Sequence, residues 1–76
     1  MDKERDWTIA DSIIWYMRRS VQRITNKDIA QACKLSEGSV SMWLKSDGGE
    51  FRVKHIVKIA ELLGISVEKL CKGVTR

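Results

Sequence analysis

The 76-residue sequence contains no proline and has one histidine, so it lacks proline-rich linkers and a histidine pair for a metal site. Its two cysteines, Cys33 and Cys71, are too few for a disulfide framework. No apolar run approaches the 18 residues that cross a membrane, and the first 25 positions lack a secretion signal. We therefore expect one small cytoplasmic domain with reduced thiols, no membrane contact, and no metal, cofactor or small-molecule substrate.

Basic residues outnumber acidic ones, and the excess lies in the middle of the chain. Fourteen Lys and Arg stand against ten Asp and Glu, which gives a formal net charge of +4. Positions 12 to 58 hold nine of the basic residues and four of the acidic ones, whereas the first eleven positions hold two basic and four acidic residues. An excess of positive charge in this region is compatible with binding to nucleic acid, to an anionic membrane or to an acidic protein. Charge alone therefore does not distinguish among these partners.

Glycines are the strongest breaks in the sequence, and apolar residues between them recur every three or four positions, the period of an α-helix. Thr25 with Asp28, then Ser36 and Ser66, are residue types that cap helix N-termini. We predict an all-α domain with five helices: about 7–20, then 26–33, then 37–45, a fourth after the loop at 46–50 that ends at Gly64, and a short last turn.

The fourth predicted helix carries a stripe of apolar residues at helical spacing. The stripe consists of Val53, Ile56, Val57, Ala60 and Leu63. This assignment places His55 off the buried face and leaves Ile59 and Leu62 partly off it. Because His55 has neither a second histidine nor a paired carboxylate beside it, we do not expect it to act in general acid or base catalysis.

The second and third helices are short and are separated by a turn of a few residues, which is the pattern of a helix-turn-helix unit. The spacing of Val40, Trp43 and Leu44 predicts that these residues face the core. The opposite side of the third helix then shows small and mildly polar residues. They are Gly38, Ser41, Met42 and Lys45. This surface is compatible with the major groove of DNA, which is about 12 Å wide, but it is not diagnostic.

Two segments carry a resemblance to a known family. ITNKDIAQACKLSEGSVSMWLK resembles the helix-turn-helix of the Cro and lambda-repressor family of phage and bacterial regulators, and VKHIVKIAELLGISVEKL is similar to the fourth and fifth helices of that family. The resemblance covers residues 24–70. It implies a lambda-repressor-like fold, with residues 1–76 forming one DNA-binding domain and the helix-turn-helix at about 26–45. It also implies that the third helix enters the major groove, a docking geometry for which this family is the standard example.

The resemblance implies site residues, and the chemistry of the residues adds others. It places Glu37, Gly38, Ser39, Ser41 and Met42 where the family reads bases or touches phosphate, Asn26 at the first position of the motif, and Lys45 near the DNA backbone. Ser36, Lys27 and Arg52 are further phosphate candidates through hydroxyl, helix N-terminal amide or cationic groups. Where the family has a turn glycine this chain has Lys34, which costs roughly 1 kcal/mol if φ is positive.

Several of these residues have two interpretations. Glu37 either accepts from a cytosine amino group or is a helix-start anion, and Met42 either contacts a thymine methyl or has no role. The basic residues near the second helix are either solvated or flank a phosphate backbone. They are Arg18, Arg19, Arg23 and Lys27.

The function that fits best is a sequence-specific double-stranded DNA-binding transcriptional regulator of the phage or prophage Cro or repressor type. One domain makes few contacts, so we expect a homodimer on two operator half-sites, joined through its C-terminal side. The expected apolar patch there consists of Ile59, Leu62, Ile65, Val67 and Leu70.

The chief alternative is a protein-binding module on the same scaffold, such as an antitoxin or adaptor. An enzyme is not expected, because the sequence shows no nucleophile–base pair and no metal set.

Overall fold

The computed structural model describes residues 7–74, which form five α-helices and no strand. The helices are α1 (Ile9–Arg19), α2 (Asn26–Cys33), α3 (Glu37–Lys45), α4 (Val53–Leu63) and α5 (Val67–Cys71). The all-α, five-helix prediction is confirmed, and the fold is that of a lambda-repressor-like helix-turn-helix domain. The second and third helices have the bounds that the cap residues predicted.

Short-range hydrogen bonds set where the helices begin. Thr25 and Asp28 form a reciprocal capping box at the start of α2, and Thr8 with Asp11 forms another at the start of α1. Ser36 caps α3 by accepting from the Ser39 amide at 3.1 Å. Each bond satisfies a backbone amide that has no partner within the helix, so these starts depend on residues only three positions apart.

The core receives one fully buried side chain from each helix. These side chains are Ile13, Ile29, Val40, Ile59 and Leu70, all at 0% exposure. The buried Ser12 hydroxyl donates to the Leu70 carbonyl, which joins α1 to α5 without leaving a buried polar atom unpaired. Since α3 contributes Val40 to this shared core, the outer face of α3 is held in a fixed direction.

The buried face of α4 differs from the predicted stripe. Val53 is 78% exposed, whereas His55 is 6% exposed and Ile59 is fully buried. The reason is that α4 packs against α1, α2 and α5 together, and its apolar residues cover more than one face, so the tertiary contacts choose the orientation. The predictions that His55 lies off the buried face and Ile59 partly off it are therefore wrong.

The expected dimer patch is also smaller than predicted. Ile59 and Leu70 belong to the core of the protomer, so they have no surface left for a second subunit. Leu62 and Ile65 are partly buried, and Val67 is 36% exposed.

The loop between α3 and α4 is anchored at both ends. The Ala10 amide donates to the Asp47 carbonyl at 3.3 Å, which ties the loop to the start of α1. Phe51 is buried, and its ring meets that of Trp43 edge to face at 5.2 Å between centroids. The end of α3 is thus fixed to α1 and, through Phe51, to the start of α4.

Candidate nucleic-acid interface

The helix α3 has a buried side and an open side. Val40 is fully buried and Leu44 is 7% exposed, while Met42 on the other side is 66% exposed. Glu37, Gly38 and Lys45 are exposed as well, and Ser39 and Ser41 are half-buried. The third residue expected inside, Trp43, is half-buried and packs against the core beside Phe51. We call the open side, Glu37, Gly38, Ser41, Met42 and Lys45, the recognition strip.

The recognition strip offers little steric obstruction at its N-terminal end. A Cβ added at Gly38 would meet nothing within 4 Å, so the backbone is open to a partner there. Met42 adds a flexible apolar side chain beyond it, and Lys45 adds a positive charge in the last turn. The strip therefore combines close backbone approach, one apolar contact and a cation, which are the chemical requirements of contact with base edges and phosphates.

The turn between α2 and α3 is tight. Lys34 ends α2 with φ 59° and ψ 44°, the left-handed conformation that favours glycine. The Leu35 amide donates to the Ala30 carbonyl at 2.8 Å, and the Leu35 side chain packs on the core. Lys34, at the position where the resemblance implies a glycine, therefore adopts a conformation that favours glycine, at a cost of roughly 1 kcal/mol.

Ser36 and Ser39 are already engaged with each other. The Ser36 hydroxyl donates to the Ser39 hydroxyl at 2.9 Å while accepting from the Ser39 amide. Ser36, expected as a phosphate candidate, thus uses its hydroxyl for capping. The Ser39 hydroxyl keeps its own proton for a donor bond to another group.

A groove brings four polar side chains together beside α3. Arg18, Asn26, Ser41 and Lys45 line it, from the end of α1, the start of α2 and the length of α3. Its apolar part is formed by Ile14, Met17, Ile24 and Leu44, and its volume is about 320 Å³. Two cations therefore lie along one opening together with an amide and a hydroxyl, which suits an extended anion such as a phosphate backbone.

The structure distinguishes Arg18 from the other basic residues near α2. Arg18 lines the groove, whereas the Arg19 guanidinium lies over the Trp15 ring at 4.2 Å from its centroid. Lys27 is exposed in the first turn of α2 and does not line the groove. The sequence did not separate Arg18 from the other basic residues near α2. The groove that distinguishes it is formed by residues from three helices, which come together only in the folded protein.

Arg52 begins α4 at its N-cap, and its side chain is exposed. Its backbone amide donates to Nδ1 of His55 at 3.1 Å, so this nitrogen must be unprotonated. Burial, followed by the charges of Lys54 and Arg52, lowers the pKa of His55 below its ordinary value of 6.5. The neutral ring lies 6.1 Å from the Trp43 ring and 6.3 Å from the Phe51 ring. His55 thereby supports the position of the Arg52 backbone at the start of α4.

Residues 7–74 contain neither a metal-binding cluster nor a membrane-spanning helix. This part of the chain holds no group of three His, Cys, Asp or Glu residues arranged to bind a metal ion. None of its helices has the length and apolar character needed to span a bilayer.

One comparison with known proteins identified a family for this chain. A model of the helix-turn-helix family matches residues 21–70, which covers α2 to α4 and most of α5. A search of curated proteins and a search of solved structures gave no match. With about two thirds of its length matched, and with α2, the turn and α3 placed as that motif requires, the chain belongs to the helix-turn-helix family of Cro/C1-type DNA-binding domains.

Proposed function

We propose that the protein is a sequence-specific double-stranded DNA-binding transcriptional regulator of the phage or prophage Cro or repressor type. It acts in the cytoplasm and occupies operator half-sites as a homodimer. The observation that carries this proposal is the recognition strip, which is held outward while Val40 and Leu44 fix the other side of α3 in the core. Family membership supports the same class of partner.

The contacts divide into two sets by chemistry. Glu37, Gly38, Ser39, Ser41 and Met42 are the proposed base-reading residues, because they occupy the part of α3 that would lie deepest in the major groove. Asn26, Lys27, Ser36, Lys45 and Arg52 are the proposed phosphate contacts, and the groove beside α3 adds Arg18 to them. The Ser36 hydroxyl is engaged in capping, so the phosphate contact at this position would come from the backbone amides at the N-terminus of α3.

The salt dependence of binding tests this proposal. Four cations per protomer, Arg18, Lys27, Lys45 and Arg52, neutralise up to four phosphates, so log K against log salt should have a slope of about −3 to −4 per protomer. A Lys45→Gln variant should weaken binding to all duplex sequences and reduce the slope by about 1. Lys69→Gln, in α5, is the matched control, because it removes one exposed lysine outside the proposed contacts. A titration that is flat in salt would instead favour a protein-binding module.

Dimerisation through the C-terminal side involves the apolar surface that the core leaves open. Leu62 and Ile65 line a groove of about 470 Å³ together with Tyr16 and Val21, and Val67 is exposed near them in the sequence at the start of α5. Two copies meeting here would cover these side chains and present two recognition strips to neighbouring half-sites.

A Val67→Glu substitution tests this dimer surface. Glutamate is favourable in the first turn of a helix, so folding should be preserved while the new charge opposes association. Sedimentation equilibrium should show a dimer for the unaltered protein and a monomer for the variant at the same concentration. A variant that remains dimeric would place the subunit contact elsewhere.

A further inference from the structure

A cleft on another side of the molecule gathers three lysines. Lys34 from the α2–α3 turn and Lys54 and Lys58 from α4 line a cavity of about 350 Å³. Its other lining residues are Ala32, Cys33, Leu35 and His55, none of which is acidic. We call this feature the lysine cleft. None of its lysines lines the groove beside α3, so the two features are separate.

The three lysines form no ion pair with an Asp or Glu within residues 7–74, although Glu61 lies three positions after Lys58 on α4. All three are exposed. Lys54 and Lys58 are four positions apart on α4, the spacing at which like charges repel on a helix surface. The cleft is therefore a region of positive charge that a bound anion would partly neutralise.

The start of α4 adds to this charge. The first turns of α1, α2, α3 and α5 each contain an acidic residue, but the first turn of α4 contains none. It has Lys54 instead, next to Arg52 at the N-cap, where the helix dipole disfavours cations. Local rules of this kind are most often broken where a function requires it.

The walls of the cleft are neutral, so the lysines determine its potential. Burial raises the pKa of the Cys33 thiol, and Lys58 opposes this shift only in part, so the thiol stays protonated. Its Sγ donates to the His55 carbonyl at 3.7 Å. The pKa of His55 is lowered by burial and then by Lys54 and Arg52, which keeps the ring uncharged at neutral pH. Both groups therefore lie in the field of the lysines without cancelling it.

We propose that the lysine cleft binds a phosphate group. Three lysines line the cavity and no acidic residue does, so the cleft attracts a group with the charge of a phosphate or pyrophosphate and has room for either. The group has two possible sources, the backbone of a DNA duplex or a free phosphorylated molecule. Leu35, which lines the cleft, directly precedes the cap of α3, so the cleft lies next to the N-terminal end of the helix that carries the recognition strip. Only the DNA source rests on the function proposed above.

The first arm of the test uses pyrophosphate alone. Amide shifts of Cys33 and His55 are followed by NMR during a pyrophosphate titration, with chloride adjusted to hold ionic strength constant. The unaltered protein and the control Lys69→Gln/Lys72→Gln should show saturable shifts. The cleft variant Lys54→Gln/Lys58→Gln, which loses the same charge, should bind at least tenfold more weakly. Thermal melting checks that both variants fold.

The second arm uses a DNA duplex and the same variants. If the cleft holds a backbone phosphate, the salt slope of the cleft variant should be smaller in magnitude than that of the control by about 1 to 2. If the cleft variant differs from the control only in the duplex arm, the bound phosphate belongs to DNA. If the two variants differ only in the pyrophosphate arm, the phosphate belongs to a free molecule. Equal behaviour of the two variants in both arms would overturn the proposal. Failure of the unaltered protein to bind duplex would refute the proposed function, and the pyrophosphate arm would still decide the cleft.

Discussion

Gly48 anchors the loop that follows the recognition helix, and its replacement by alanine should destabilise the fold. Gly48 is buried with φ +78°, a conformation that L side chains rarely adopt. An added Cβ would lie 2.7 Å from Cγ2 of Ile9 and 3.0 Å from the backbone nitrogen of Ala10. The substitution therefore combines an unfavourable backbone conformation with a collision against the start of α1.

The chain offers a control that separates these two costs. Gly64, the C-cap of α4, has nearly the same φ of +75°, but a Cβ there would meet nothing within 4 Å. Gly64→Ala should thus show the backbone cost alone, about 1 kcal/mol. Gly48→Ala should add a crowding cost of about 1–3 kcal/mol, because the neighbouring Ala10 atom is backbone and cannot rotate away.

Urea unfolding of the three proteins measures both terms as differences in the free energy of unfolding. A domain of this length has a total stability of about 4–11 kcal/mol, so Gly48→Ala should remove a large part of it. In thermal melts the gap between the two variants should be about 4 °C or more. Equal losses for Gly48→Ala and Gly64→Ala would show that the loop does not press on α1 as the structure has it.

Four further outcomes are expected. Met42→Ala should change base preference at one operator position by about 1–3 kcal/mol, and an unchanged preference profile would remove Met42 from base reading. Gly38→Leu should not lower the free energy of unfolding, because an added Cβ meets nothing within 4 Å and leucine favours a helix more than glycine does, but it should weaken duplex binding at least tenfold; full binding would mean that α3 does not approach DNA closely. Lys34→Gly should raise stability by about 1 kcal/mol in urea unfolding by relieving a left-handed residue with a Cβ, and a loss would contradict the strain assigned to that turn. The folded pKa of His55 lies below its unfolded value of 6.5, so its contribution to stability is complete above about pH 6.5 and is lost as pH falls below it. A His55→Gln variant should therefore lose less stability than the unaltered protein between pH 7 and 5, and parallel losses would contradict the role of the neutral ring.

The bounds of α2 and α3 were predictable because local chemistry sets them. The Thr25–Asp28 pair and Ser36 act over three residues, so their capping bonds can be inferred from residue types alone. The family resemblance left the conformation at Lys34 open, because lysine stands where the family has glycine, and the structure gives it a positive φ. The roles of the recognition strip in DNA contact remain predictions that the experiments above address.

The orientation of α4 was not predictable in the same way. Apolar residues occupy so much of its circumference that periodicity allows more than one buried face, and the packing of α1, α2 and α5 decides between them. His55 was placed outside because it lies off the predicted apolar stripe, whereas its ring is buried and its Nδ1 accepts from the Arg52 amide. Arg18 and Lys45 line one groove only because α1 and α3 pack together, and no short-range sequence pattern predicts that the two residues are close.

The most direct measurement is a selection of bound duplexes from a random pool at physiological salt. If α3 presents Gly38 and Met42 to the major groove in a dimer, the recovered sequences should share two related half-sites whose centres are about 10 base pairs apart. Their affinity should exceed that for random duplex by about 10³-fold or more. Recovery of no common sequence, with affinity equal to that for the random pool, would contradict sequence-specific recognition by this helix.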